Sequence, residues 1–109
     1  MKKNRIIGVD PGTLVTGYGV IELSDNRMEL IDFGCIRPPQ KEKLSSRYLI
    51  IYKAIAGLLE MHAPTAMAVE TQFVHKNPLS AIKLGMARGV IVLAATQKNL
   101  NVYEYSPKK

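Results

Sequence analysis

Three observations predict a mixed α/β fold of five strands and two helices for these 109 residues. Short apolar runs such as IIGV and AMAV read as buried strands. Ser24, Asp25 and Asn26 form a turn too short for a crossover, so the runs on either side of it must pair antiparallel. Two longer stretches read as helices. One has apolar residues at three- and four-residue steps, and the other opens with a capping Asn77 followed by Pro78.

Along the chain, Arg5 to Val9 is the first strand, and Pro11 to Thr16 a loop. Gly17 to Leu23 and Met28 to Ile36 make an antiparallel hairpin, which Pro38 and Pro39 end. Gln40 to Ser46 is a polar, basic connection. From Ser45 or Ser46 a helix carries Leu44, Tyr48, Ile51, Ile55, Leu58 and His62 on one stripe and closes at Pro64. His62, at the end of that stripe, reads as a satisfied, partly buried histidine. Met67 to Glu70 is the fourth strand and Thr71 to Lys76 a loop. The second helix runs from Asn77 to about Lys98, and Asn101 to Tyr105 is the fifth strand. No repeat or second domain is visible, so residues 1–109 read as one domain.

Composition narrows the classes. Fifteen Lys and Arg against nine Asp and Glu give a net charge of +6, which favours a polyanionic partner. No apolar run is read as long enough to span a membrane, and the N-terminus lacks a signal-peptide layout. A single cysteine, Cys35, excludes an intrachain disulfide and suits a reducing cytoplasm. Its apolar neighbours mark it as a small core residue.

Asp10 and Glu70 are the candidate chemical groups. Each ends a strand, and the residues on its own face are Ile or smaller: Ile6 and Gly8 before Asp10, Ala66 and Ala68 before Glu70. Parallel neighbours lie roughly 4.8 Å apart, so two such acids would share one crevice at a sheet edge. That arrangement suits a divalent cation better than a core. Phe73, in a short polar loop, is placed to stack on an unpaired base. Lys76 and Lys83 fall close to one face and read either as phosphate contacts or as an ordinary solvated face, while Arg88 lies on another side. Ala81, Gly85 and Gly89 form a line of small residues that admits a close backbone, from the chain's own sheet or from a second copy. Lys41, Lys43 and Arg47 form another basic cluster, and Lys108 and Lys109 a third.

Three antiparallel strands followed by helix, strand, helix and strand is the order of the ribonuclease H-like fold. The segment IIGVDPGTLVTGYGVI resembles the first motif of RuvC-type Holliday junction resolvases. AVETQFVHKNPLSAIKLGMARGVIVLAA resembles their second block: an acid, an aromatic three residues later, a Lys76-Asn77 pair and a K-L-G-x-A-R-G helix. GCIRP and VYEYSP also match short stretches of that family. The resemblance covers nearly the whole chain.

The resemblance implies a mixed five-stranded ribonuclease H-like sheet and an endonuclease that resolves four-way DNA junctions in recombination and repair by paired symmetric nicks. It implies catalytic, metal-holding roles for Asp10 and Glu70, with two Mg²⁺ ions in the complete site and Mn²⁺ as a substitute. Phe73, Lys76, Asn77, Lys83, Arg88, Lys108 and Lys109 would contact DNA. A homodimer, and branch-migration motors as further partners, are implied too. The family continues past the fifth strand into a helix bearing further acids, so this chain reads as a shortened form with half the acidic cluster and little activity of its own. The alternative is a non-catalytic module for structured DNA. A sugar-kinase or actin-like ATPase relative is a third reading, because GVDPGT resembles a phosphate loop, but no second phosphate loop is visible.

Overall fold

The chain winds through β1 (Asn4–Asp10), β2 (Thr16–Ser24), β3 (Arg27–Ile36), α1 (Leu44–His62), β4 (Ala66–Glu70), α2 (Pro78–Gln97) and β5 (Asn101–Tyr105). The computed structural model describes residues 4–71 and 77–106. Phe73, His75, Lys76, Lys108 and Lys109 lie outside the described residues.

One five-stranded sheet has the order β3-β2-β1-β4-β5. β1, β2 and β3 pair antiparallel, and β4 pairs in parallel with both β1 and β5. Asp25 and Asn26 take left-handed φ values of 47° and 68°, as the tight hairpin turn between β2 and β3 requires. α1 then carries the chain from β3 to β4, and α2 carries it from β4 to β5. Parallel neighbours need such helical crossovers.

Both helices lie on one face of the sheet. Ile7, Val9, Val20, Met67 and Val69 point up from the strands and meet Ile51, Ile55 and Leu59 of α1 and Ala87, Ile91, Ala94 and Ala95 of α2. The buried stripe of α1 is therefore Arg47, Ile51, Ile55 and Leu59. It is rotated from the expected stripe: Leu44 is exposed, and Tyr48 and Leu58 only border the core. Ala63 closes α1 in the left-handed region, its N–H donating to the Leu59 carbonyl at 2.9 Å. α2 starts as its sequence implies, with Asn77 Oδ1 accepting the Leu79 N–H at 2.9 Å.

His62 is a satisfied histidine. Its Nε2 lies 2.9 Å from Asp32 Oδ2, and its carbonyl accepts from Arg5. Arg5 in turn pairs with Glu22 at 2.9 Å.

Three expectations need correction. Cys35 is exposed, because its side chain falls on the face opposite the helices. Arg47 is only 9% exposed and faces the core, so it leaves the basic surface cluster. α2 is, by length and composition, apolar enough to cross a membrane. Only Ala87, Ile91, Ala94 and Ala95 of it are buried in the core, while Leu79, Ile82, Met86 and Leu93 are exposed.

The opposite sheet face is uncovered among the described residues. Gly8, Gly17, Gly19, Ala66 and Ala68 form its low centre. Met28, Leu30 and Phe33 rise at the β3 side and Tyr103 at the β5 side, each more than half exposed.

Candidate metal and nucleic-acid site at the carboxyl edge of the sheet

β1 and β4 are paired through Val9 and Val69, and the next residue on each strand is the acid. Asp10 and Glu70 therefore stand level on adjacent parallel strands. Alternation sends both side chains to the uncovered face, because Val9 and Val69 point into the core. The register continues sideways: Asp10 opposes Gly17, Gly17 opposes Cys35, and Glu70 opposes Tyr105. One row thus reads Cys35, Gly17, Asp10, Glu70, Tyr105.

The electrostatics agree with this row. The Asp10 carboxyl is raised above its ordinary range, first by partial loss of solvent and then by the charge of Glu70. The Tyr105 phenol is raised by burial first, then by Glu70 and by Asp10. Like charges brought this close favour proton uptake or a cation.

The loop after Asp10 is rigid for identifiable reasons. A Cβ on Gly12 would lie 2.0 Å from the Val15 carbonyl oxygen, so only glycine fits. Thr16, fully buried, accepts the Gly12 N–H at 3.4 Å. Arg47 reaches from α1 and donates to the Thr13 carbonyl at 2.8 Å. The motif D-P-G thus marks a loop folded back on itself and clamped from behind by an arginine.

β1, β3, β4 and β5 all run toward the same edge, so the described residues that follow β1 and β3 leave the sheet there. Exposed Arg37, Lys41 and Lys43 leave β3 at this edge. The start of α2, with Asn77 and half-buried Lys83, lies beyond Glu70 on the same side. The sequence alone could not assign Lys41 and Lys43 to the edge of the sheet that carries the acids; strand direction does. Arg88 is engaged by Glu104 of β5, and together with Pro11, Thr71, Leu84 and Gly85 it lines a pocket of about 190 Å³ beside Glu70. Larger hollows of about 390 and 430 Å³ border the β2–β3 turn, far from the acids.

Ala81 and Gly85 open onto the same pocket as Pro11, Glu70 and Thr71, and Gly89 follows one turn further along α2. All three are exposed, and a Cβ on either glycine would meet nothing within 4 Å. Leu79, Ile82, Met86 and Leu93 are exposed beside them.

Among the described residues no group of three or more His, Cys, Asp or Glu side chains could hold a metal ion. Two carboxylates still fit a hard cation that keeps several waters, such as Mg²⁺ or Mn²⁺. The donor set lacks the imidazole and thiolate that zinc prefers.

A mixed sheet with its helices stacked on one face and an acid at the end of each central parallel strand defines the ribonuclease H-like class. The family profile of crossover junction endodeoxyribonuclease RuvC matches residues 6–109. RuvC of Protochlamydia amoebophila is 52% identical over 104 residues, which cover 95% of this chain and 62% of that protein. RuvC of Chlamydia muridarum is 50% identical, covering 94% and 61%. Thermus thermophilus RuvC in complex with a Holliday junction superposes with a TM-score of 0.87 at 28% identity, covering 95% and 65%. The chain belongs to the RuvC family, and it spans about three fifths of the length of these curated relatives.

Proposed function

We propose that the chain is the nuclease portion of a metal-dependent endonuclease that resolves four-way DNA junctions in recombination and repair. The observation that carries this reading is the level placement of Asp10 and Glu70 on neighbouring parallel strands. Those two acids would hold Mg²⁺, or Mn²⁺ in its place. Bound there, the cation supplies an activated water and offsets charge on the leaving oxygen.

The chain's own groups do the rest. Arg37, Lys41, Lys43 and Lys83 offer positive charge to phosphates at the edge that carries the acids. Arg88, tied to Glu104, sets one wall of the pocket beside Glu70 and meets DNA only if that pairing opens. Asn77 caps α2, its Oδ1 accepting the Leu79 N–H. Phe73 as a base-stacking wedge, and Lys76, Lys108 and Lys109 as phosphate contacts, rest on the family resemblance. So do branch-migration motors as partners and a cytoplasmic location. A homodimer is supported by the uncovered face of α2, where Ile82, Met86 and Leu93 flank two glycines. Such a two-fold pair matches a symmetric junction and delivers paired nicks. The further acid-bearing helix that the resemblance implies has room on the open face of the sheet.

The test compares a synthetic four-way junction with a linear duplex of the same sequence, in Ca²⁺ and at several salt concentrations. Junction affinity at least about tenfold tighter, falling steeply with salt, is expected. Equal affinity for the linear duplex would remove the junction reading. In Mg²⁺ this chain is expected to nick little, since two carboxylates rarely fix two ions. Robust cutting, lost in Asp10→Asn, would show that the pair suffices.

A further inference from the structure

The row at the sheet edge does not stop at the two acids. Glu70 of β4 opposes Tyr105 of β5, and both side chains fall on the uncovered face. Strands roughly 4.8 Å apart set such neighbours side by side. Tyr105 is held there firmly. Its carbonyl accepts both the Thr71 N–H at 2.8 Å and the Thr71 hydroxyl at 3.2 Å, and Thr71 is buried. The residue after Glu70 therefore anchors the residue opposite Glu70, so the two side chains share one rigid base. Across the row, Gly17 brings no side chain to Asp10, and Tyr105 carries a neutral hydroxyl on the β5 side of Glu70.

We propose that Tyr105 is a positioning residue of the acid pair: its hydroxyl donates to the Glu70 carboxylate from the β5 side and keeps the other carboxylate oxygen turned toward Asp10 and a shared cation. The proposal rests on the reading of Asp10 and Glu70 as a cation site. A neutral donor suits this task better than a lysine or arginine would. It orients the carboxylate without adding a positive charge that competes with the metal. Hydrogen-bonded carboxylates make better-defined ligands, and loss of such outer partners typically weakens metal binding about tenfold or more.

Two readouts test it. Mn²⁺ binding to the 109-residue chain, followed by electron paramagnetic resonance of the free ion, is expected to weaken about threefold to tenfold in Tyr105→Phe. The phenylalanine keeps the ring, so the thermal melt is expected to stay within a few degrees of wild type. In spectra of ¹³C-tyrosine-labelled protein, the Tyr105 Cζ shift is expected to move in Glu70→Gln and stay fixed in Glu22→Gln, which lies on the helix-covered face. Wild-type Mn²⁺ affinity in Tyr105→Phe overturns the proposal, as does a Tyr105 Cζ signal indifferent to Glu70→Gln. Wild-type protein that binds no Mn²⁺ overturns the cation reading itself and this proposal with it; binding that survives Tyr105→Phe unchanged overturns this proposal alone.

Discussion

Asp10→Asn is expected to abolish the stabilisation that Mn²⁺ gives the wild-type chain while raising the melting temperature measured without metal. A ligand that binds only the folded state adds RT ln(1 + [L]/Kd), about 1.4 kcal/mol at ten times Kd. For a domain of this size that is a rise of roughly 5 °C or more. Asn keeps the shape of Asp10 but removes the charge, so that rise is expected to vanish. The metal-free gain has the opposite origin. The Asp10 carboxyl is raised in the folded state by lost solvent and by Glu70. A raised carboxyl favours folding at pH below its unfolded value and loses that advantage as pH climbs through the folded value. At neutral pH the ionised Asp10 is therefore a local cost, and Asn relieves it. The metal-free difference between variant and wild type is expected to shrink as pH falls below about 4, the ordinary aspartate range. Melting curves at about pH 7 and about pH 3.5, with and without Mn²⁺, read all of this. A wild-type chain indifferent to Mn²⁺, or a variant less stable than wild type at neutral pH, would contradict it.

Gly12→Ala is expected to destabilise the fold by about 2–3 kcal/mol, a fall of roughly 10 °C. The new methyl group would lie 2.0 Å from the Val15 carbonyl oxygen and 3.1 Å from its carbon. Both are backbone atoms, so no rotamer change relieves the clash and the loop must open. Opening separates the Gly12 N–H from Thr16 and the Thr13 carbonyl from Arg47. Arg47 is then left buried with its partner gone, which is the larger part of the cost. Because the loop starts at Asp10, Mn²⁺ affinity is expected to fall with stability. Gly17→Ala is the control: a Cβ there meets nothing within 4 Å, and stability is expected to change by less than about 1 kcal/mol. Urea titration of both variants checks the pair; equal stability of Gly12→Ala and wild type would contradict the steric reading.

Much of this was legible in the residues. Alternation put Ile6, Gly8 and Asp10 on one face and Ala66, Ala68 and Glu70 on another, and the structure joins those faces by pairing β1 with β4 in parallel. The hairpin turn and the Asn77 cap were also readable, because both are written in local backbone chemistry. Tertiary information was harder to read. Cys35 lies among apolar neighbours, but a strand has two faces and only one receives helices. Arg47 looked like surface charge beside Lys41 and Lys43, since nothing local says that a guanidinium will turn inward to hold a loop thirty-four residues away. Tyr105 read as a strand end. Its relation to Glu70 exists only in the register of β4 with β5. The small-residue line on α2 announces a close approach without saying by what, and a Cβ on Gly85 or Gly89 would meet nothing of this chain within 4 Å.

Anomalous scattering from a crystal grown or soaked with Mn²⁺ tests the site most directly. A single strong peak is expected within about 2.2 Å of carboxylate oxygens from both Asp10 and Glu70. Manganese bound elsewhere on the surface, with those oxygens turned apart and no peak between them, would contradict the assignment of this edge as a cation site.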